Sequence, residues 1–228
     1  MLKEVAHFLR HLPGVVRLGV TRSHADVFAV LMERADKAGL AEWRAKLVRD
    51  VTGDVLEIGC GTGSMFRYYP KGVTVVGTEP AEAFLALAKD AAAKCAAEVT
   101  TRVAHAEKLP FQDQTFDVVV VASVLCAVAS VERTLAEIRR VLKPGGEVRL
   151  IEHVRSTRAI PGLLMDVFNP AWRLWNRIGC NMNRKTDVTL RAAGFDLVEV
   201  HPFQTFAPGL PAFPTLWIRA VPEAVSLR

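Results

Sequence analysis

Short apolar runs alternate with amphipathic segments through most of the chain after residue 54. The runs are rich in β-branched residues and are bounded by glycine, proline or charged residues, which is typical of buried strands. They predict strands at Val55–Ile58, Val73–Thr78, Val99–Val103, Phe116–Ala122, Gly146–Glu152, Phe195–His201 and Phe213–Ala220. Helices are predicted from Ser64, over Ala81–Lys94, over Val131–Leu142 and near Asp187–Ala193. This alternation indicates an α/β fold with a parallel, doubly wound sheet.

The first 50 residues have a helical pattern instead. Apolar residues recur near helical spacing in Met1–Gly19, with basic residues between them. We expect this helix to pack against the domain's own cleft; the alternative is an amphipathic helix on a membrane surface, since the segment is too short and too charged to span one. Thr21–Asp50 predicts a second helical region, broken near Gly39. We expect one structural domain, with an N-terminal helical cap over 1–50 and the main α/β part over 51–228.

The first strand runs into a glycine-rich turn, and the whole stretch is Val55–Gly63. Closely spaced glycines after a buried strand allow a sharp turn and a close approach of the backbone to a ligand. A dinucleotide fingerprint would place its third small residue at Ser64, and no lysine follows the glycines as in a phosphate-gripping P-loop. With the acidic Glu57 ahead of the turn, the pattern favours a ligand that carries positive charge. A purely structural tight turn is the alternative.

A second carboxylate follows at the end of the next strand. Glu79 lies twenty positions after Gly59, about where a nucleotide-binding fold places the acid that receives ribose hydroxyls. The alternative is an acidic helix cap before Pro80.

Four motifs resemble those of the class I S-adenosylmethionine-dependent methyltransferases, most of all the branch with the ubiquinone and menaquinone biosynthesis enzymes. They are Glu57–Gly63, Glu79, Ala106–Phe111 with Phe116-Asp117, and Leu142–Gly146. The resemblance implies a Rossmann-like, seven-stranded, mainly parallel sheet whose last strand is antiparallel. It implies S-adenosyl-L-methionine as the cofactor, bound by Glu57, Gly59, Cys60, Gly61, Gly63, Glu79, Pro80, Ala106, Glu107 and Ser123. Where the family commonly has aspartate the chain has His105, so we expect the backbone of Ala106, ahead of Glu107, to meet the adenine amine.

Shorter strings on the acceptor side resemble membrane-associated methyltransferases that methylate alkyl thiols. They include Val124–Val128, Glu152-His153-Val154, and Asn169–Trp172 with Gly179–Asn181. The resemblance implies an acceptor pocket with Cys126, Asp166, Trp172, Cys180 and Asn181, and candidate catalytic residues His153, Glu152 and Asn169. His153 could take a proton from an acceptor and Glu152 could orient its ring. The alternative is a pair of polar residues that only fix the loop after the strand.

The segment Arg155–Lys185 interrupts the alternation of strands and helices with prolines and tryptophans. Sites in such folds are formed by loops beyond the strand ends, so this insertion is a candidate acceptor lid. Helical core packing is the alternative for its tryptophans.

The composition of the chain limits the classes of binding partner that we expect. The formal charge of the 228 residues is +5 and the basic residues are spread along the chain, so no nucleic-acid partner is indicated. The cysteines Cys60, Cys95, Cys126 and Cys180 are widely spaced, which predicts neither a disulfide framework nor a metal site. We expect a cytoplasmic monomer or weak homodimer, with peripheral contact at the inner membrane face through the N-terminal helix as an open alternative.

The expected function is methyl transfer to a small apolar acceptor, with a thiol sulfur as the first choice. The alternatives are N-methylation of phospholipid head groups, C- or O-methylation of a quinol or phenol, and a regulatory protein that binds S-adenosylmethionine without turnover. A nicotinamide oxidoreductase is disfavoured by Ser64 and the glycine spacing.

Overall fold

A computed structural model describes residues 23–176, 179–205 and 212–223. The predicted helix at Met1–Gly19 lies outside these residues. Seven strands form one sheet: β1 Asp54–Ile58, β2 Thr74–Thr78, β3 Glu98–Arg102, β4 Phe116–Ala122, β5 Leu142–His153, β6 Phe195–Thr205 and β7 Phe213–Pro222. The described residues also form six α-helices: α1 His24–Ala35, α2 Ala41–Val48, α3 Glu82–Ala92, α4 Val131–Val141, α5 Ala159–Asn176 and α6 Thr186–Ala192.

The strand order is β3-β2-β1-β4-β5-β7-β6. β1 pairs in parallel with β2 and with β4, so that Val55 lies between Val75 and Val118. β7 runs antiparallel to both β5 and β6, which confirms the antiparallel last strand. Chain connections reverse direction between β1 and β4, and ligands of open α/β sheets bind at the carboxyl ends of the strands at such a point.

Alternate residues of the central strands belong to two separate apolar clusters. Val118 and Val120 of β4 pack with the α2 and α3 side, whereas Val119 and Val121 pack with the α4 and α6 side. The central strands are therefore buried on both faces, as their unbroken β-branched runs predict, whereas the edge strands β3 and β6 alternate with exposed residues.

Two local predictions differ from the structure. The helix predicted from Ser64 is only a short 3₁₀ turn, Phe66–Tyr68, because Tyr69 precedes Pro70 and takes an extended conformation. The last two strands are longer than predicted, since β6 and β7 pair with each other from Phe195–Pro222 to Thr205–Phe213. Gly39 (φ 114°) lies in a kinked segment, Asp36–Leu40, between α1 and α2, where the helical pattern predicted a break.

The insertion 155–185, called the lid segment below, contains α5, with Pro170 inside the helix. Apolar side chains of α5 face outward, among them Leu163, Val167 and Leu174. Among the residues that the structure describes, no helix combines the length and apolar character needed to cross a bilayer.

Candidate active site

A cleft of about 310 Å³ opens where the carboxyl ends of β1, β2 and β4 meet. Its volume lies at the lower end of the range for small-molecule sites. Nine of the ten residues predicted to bind the cofactor line it, namely Glu57, Gly59, Cys60, Gly61, Glu79, Pro80, Ala106, Glu107 and Ser123. The sequence-based site thus converges on one cavity.

The tenth residue, Gly63, is not among the cleft-lining residues. A Cβ atom on Gly63 would lie 2.8 Å from Phe66 and 2.9 Å from Ala91. Gly63 is therefore required for packing behind the turn, and its contact with the cofactor remains a prediction.

Gly59 and Gly61 shape the floor of the cleft. Both have positive φ, 63° and 54°, in the region that side-chain-bearing residues rarely adopt. A Cβ atom on Gly59 would lie 2.5 Å from Cγ2 of Val124, which itself lines the cleft. The backbone of the turn can approach a ligand only because these positions lack side chains.

Glu79 closes β2 at the edge of the cleft. Its carboxylate accepts hydrogen bonds from the backbone N–H groups of Gly61 (3.2 Å) and Ala81 (3.1 Å). Ala81 is the residue before α3, and no side chain caps the first turn of that helix, so the contact orders the chain ahead of the helix without capping it. The same contacts hold the carboxylate beside the glycine turn, and partial burial raises its pKa. Glu79 can therefore receive a pair of hydroxyl groups from a ligand lying across the turn.

Glu57 lies deeper, at the inner wall, and only 2% of it is exposed. The hydroxyl of Tyr69 donates a hydrogen bond to its Oε2 atom (2.8 Å). Burial raises the pKa of Glu57 to about 8, although Tyr69 and the positive charge of Arg44 oppose this shift. The environment of the cleft therefore favours the protonated form of this carboxyl group.

The raised pKa of Glu57 makes a testable prediction about stability. The folded state binds one more proton than the unfolded state between the ordinary pKa of 4.5 and the folded value of about 8. The contribution of Glu57 to the free energy of unfolding is therefore full below this window and falls, by a few kcal/mol, as the pH rises through it. Urea unfolding from about pH 5 to pH 8 should show a steeper decline in the wild type than in Glu57→Gln, which keeps only the smaller decline due to the other buried carboxyl groups such as Glu152. Parallel pH profiles would contradict this assignment.

The opposite wall is formed by the loop after β3. Ala106 is buried and lines the cleft, whereas His105 lines it while remaining exposed. The Glu107 carboxylate accepts hydrogen bonds from the backbone N–H groups of Ala129 (2.8 Å) and Ser130 (3.3 Å). It is thus engaged in holding the chain ahead of α4, which supports the expectation that Ala106 ranks before Glu107 for contact with adenine.

Ser123 follows β4 with φ 61°, one of two residues other than glycine with positive φ in the described chain. Its backbone N–H donates to the carbonyl of Ile151 on β5 (2.7 Å). Strained backbone of this kind persists where the surroundings enforce it, commonly at functional sites. It turns Val124 back toward the cleft.

Sequence reasoning missed part of the wall. Phe28 and Phe84 pack at 5.4 Å between ring centroids and both line the cleft, together with Met32 and Arg44. These side chains lie in α1, α2 and α3, in segments for which the sequence predicted helices but no cofactor-binding residue. Arg44 is buried and forms an ion pair with Asp36 (3.0 Å), a partnership that no sequence motif indicates.

Glu152 is fully buried behind the loop after β4. Its carboxylate accepts hydrogen bonds from the backbone N–H groups of Val124 (2.6 Å), Leu125 (2.9 Å) and Cys126 (3.3 Å). Burial raises its pKa to about 7 against these hydrogen bonds and the charge of His153. This geometry favours a residue that positions the loop over one that exchanges protons with an acceptor.

Replacing Glu152 tests this positioning role. Glu152→Gln puts an amide nitrogen where a carboxylate oxygen accepts N–H groups, so we expect a loss of about 2–4 kcal/mol in the free energy of unfolding. Glu132→Gln, an exposed site, should change it by less than about 0.5 kcal/mol. A free energy of unfolding of Glu152→Gln equal to that of the wild type would contradict the positioning role and favour a role in proton exchange with the acceptor.

His153 belongs to a second cluster, with Cys126 and Cys180. Its Nε2 atom lies 3.1 Å from the Cys180 Sγ atom, and the three ligand atoms of the cluster lie within 4.8 Å of one another. Hydrogen bonds from Cys126 and His153 lower the pKa of Cys180 to about 4, while the same contact and burial raise that of Cys126. Spacing along the chain predicted no metal site, yet the fold gathers three candidate ligands.

The remaining lid residues surround this cluster. The indole N–H of Trp172 donates to the Cys180 Sγ atom (3.4 Å), and the side chain of Asn169 donates to that of Asn181 (3.2 Å). Asp166 forms an ion pair with Arg155 (2.7 Å). None of these lid residues is among the described residues that line the cleft. Their contact with the acceptor therefore remains a prediction.

The cleft fits an adenosine derivative that carries positive charge. It offers the Glu79 carboxylate at the end of β2, two glycines in the turn after β1, an aromatic wall and a second carboxyl group, Glu57, deeper inside. Among the described residues that line it there is no lysine, and the one arginine, Arg44, is paired with Asp36 and so is not free for a pyrophosphate.

Comparison with known proteins gives the same assignment. A "Methyltransferase domain" family model matches residues 56–150. The chain is 33% identical over 171 residues to human thiol S-methyltransferase TMT1B, covering 73% of this chain and 70% of that protein. It is 35% identical over 150 residues to the rat protein of that name, covering 64% of this chain and 61% of that one, less than two thirds of its length.

A bacterial relative is the ubiquinone/menaquinone biosynthesis C-methyltransferase UbiE of Geobacter sulfurreducens, 35% identical over 120 residues, with 48% of this chain and 47% of that protein covered.

Solved structures share the fold at low identity. A putative methyltransferase from Bacillus halodurans has a TM-score of 0.66 at 18% identity, covering 80% of this chain and 98% of that one. A putative methyltransferase from Haloferax volcanii, in complex with the Trm112 activator, has a TM-score of 0.66 at 19% identity. The match covers 89% of this chain and 99% of that one. The chain therefore belongs to the S-adenosylmethionine-dependent methyltransferase family that includes the thiol S-methyltransferases, and S-adenosylmethionine is the cofactor this family implies.

Proposed function

We propose that this protein transfers a methyl group from S-adenosylmethionine to a small apolar acceptor, and that the preferred acceptor atom is a thiol sulfur. The observation that carries the proposal is the similarity to thiol S-methyltransferases over 171 residues, a stretch longer than the methyltransferase domain alone. The apolar and aromatic residues on the cleft wall support an uncharged or weakly charged acceptor.

The residues of the chain act mainly by positioning. When bound, the cofactor supplies a methyl group on a sulfonium, which is already activated for displacement. Glu79 would hold the sugar, the glycine turn would carry the amino-acid part, and Glu57 would face its positive charge. Alignment of two reactants in a closed cleft can supply most of the rate enhancement that such a displacement needs.

A dedicated general base is optional for a thiol. The pKa of a free thiol is near 8.5, so a useful fraction is already thiolate at neutral pH. This agrees with a site where the cofactor residues are explicit while His153 contacts Cys180 instead of lining the cleft. The roles of His153, Glu152 and Asn169 in catalysis, and of the lid residues in acceptor binding, remain part of the proposal.

A second candidate is C-methylation of a quinol, favoured by the similarity to the UbiE protein. N-methylation of phospholipid head groups remains a rival, as does a non-catalytic S-adenosylmethionine-binding role. A monomer or weak homodimer remains our prediction for the assembly.

The test is a transfer assay with labelled S-adenosylmethionine and a panel of thiols, phenols, quinols and phosphatidylethanolamine. We expect label in thiol products. Transfer to a quinol or lipid without transfer to any thiol would refute the thiol assignment. Calorimetric binding of S-adenosylhomocysteine without any turnover would favour the regulatory role.

A further inference from the structure

Three soft or borderline metal ligands meet behind the cleft. The Sγ atoms of Cys126 and Cys180 and a ring nitrogen of His153 all lie within 4.8 Å of one another. The two cysteines are 2% and 4% exposed, so their thiol groups are removed from water. The groups come from distant parts of the chain and contact one another directly, with His153 Nε2 3.1 Å from the Cys180 Sγ atom, while the Cys126 Sγ atom lies 3.5 Å from the Ser123 carbonyl oxygen.

We propose that Cys126, His153 and Cys180 form a Zn²⁺ site. Zinc is bound by cysteine sulfur at about 2.3 Å and by histidine nitrogen at about 2.0–2.1 Å, usually in a tetrahedron. Ligand atoms at those distances from one ion lie closer together than the 4.8 Å limit that this cluster satisfies. Two thiolates and an imidazole favour zinc over magnesium or calcium, which take oxygen ligands.

The surroundings suit thiolate ligands. The indole N–H of Trp172 points at the Cys180 sulfur, and such outer hydrogen bonds hold metal-bound thiolates in place. The backbone N–H of Cys126 is fixed by the buried Glu152 carboxylate at 3.3 Å. The rival explanation is a cysteine pair that forms a disulfide, but a disulfide leaves the convergence of the His153 ring on Cys180 unexplained.

The ion would join three separate parts of the fold. Cys126 lies in the loop after β4, His153 ends β5, and Cys180 follows α5 in the lid segment. The carbonyl of Cys126 already accepts hydrogen bonds from the backbone and the side chain of Asn181, both in the range 2.8–2.9 Å. A zinc ion would therefore fix the part of the lid segment that follows α5 to the loop that borders the cofactor cleft.

Cobalt substitution tests the site independently of the acceptor. The full chain, stripped with a chelator under reducing conditions, is titrated with Co²⁺ and then with Zn²⁺. We expect one equivalent of Co²⁺ to give thiolate-to-metal charge-transfer absorption and the visible bands of a tetrahedral site, and Zn²⁺ to displace it. Cys126→Ser and Cys180→Ser should each lower the affinity by about tenfold or more.

Cys95→Ser is the matched control, since Cys95 lies outside the cluster and should bind Co²⁺ like the wild type. S-Adenosylhomocysteine binding to each variant reports whether the fold persists. Absence of the charge-transfer band in a wild type that binds S-adenosylhomocysteine would overturn the proposal. Co²⁺ bands in Cys126→Ser and Cys180→Ser that match those of the wild type in intensity and affinity would also overturn it. So would a Cys126–Cys180 disulfide that persists in the presence of excess Zn²⁺.

Discussion

Glu79→Ala is expected to weaken the binding of S-adenosylhomocysteine by at least about 100-fold, because two hydrogen bonds to a charged group are worth about 3 kcal/mol or more. The carboxylate is the acidic group held beside the glycine turn by the amides of Gly61 and Ala81. Its removal leaves the ribose hydroxyls without an acceptor. Calorimetric titration of both proteins measures the difference.

Glu82→Gln is the control for this experiment. Glu82 is an exposed acid in the first turn of α3, three positions further along the chain, and it does not line the cleft. The Glu82→Gln variant should bind S-adenosylhomocysteine with an affinity within about twofold of the wild type. The stability of Glu79→Ala is measured alongside, because the variant also loses the hydrogen bonds to the N–H groups of Gly61 and Ala81, each worth about 1 kcal/mol. An affinity for Glu79→Ala close to that of the wild type would place the sugar elsewhere.

The second large effect is expected at Gly59. Gly59→Ala adds a Cβ atom 2.5 Å from Val124 in a backbone conformation with φ 63°, so both overpacking and strain oppose it. We expect a loss of about 2–4 kcal/mol in the free energy of unfolding and at least about 100-fold weaker binding of S-adenosylhomocysteine. Chemical unfolding and calorimetry measure the two effects separately.

Gly72 supplies the matched control. It also has positive φ, 86°, but a Cβ atom there would meet nothing within 4 Å. Gly72→Ala should therefore show only the conformational cost of about 1–2 kcal/mol and normal binding. The double variant Gly59→Ala with Val124→Ala removes the clashing methyl groups and should recover part of the binding. Normal binding by Gly59→Ala would show that the turn does not approach the ligand.

The sheet could be predicted because its strands are continuous apolar runs. Val118–Val121 are buried on both faces, so no alternation was needed to recognise β4. The helix predicted after Ser64 failed because one proline, Pro70, limits the conformation of the residue before it. That restriction outweighed the favourable composition around it.

The cofactor site could be predicted because its residues follow strand ends in a fixed order. Glu57 and Glu79 end neighbouring parallel strands, whose carboxyl ends meet at one edge. The aromatic wall could not be predicted, since Phe28 and Phe84 have the same spacing as core residues of their helices. The cysteine cluster was equally hidden because His153 and Cys180 are 27 residues apart and meet only through the return of the lid segment.

The central claim is that an S-adenosyl nucleoside lies across the turn after β1, with its sugar on Glu79. A crystal structure of the complex with S-adenosylhomocysteine tests it most directly. The account predicts both ribose hydroxyls within about 3 Å of the Glu79 carboxylate oxygens. A nucleoside bound with its sugar remote from Glu79, or density for it outside this cleft, would contradict the account.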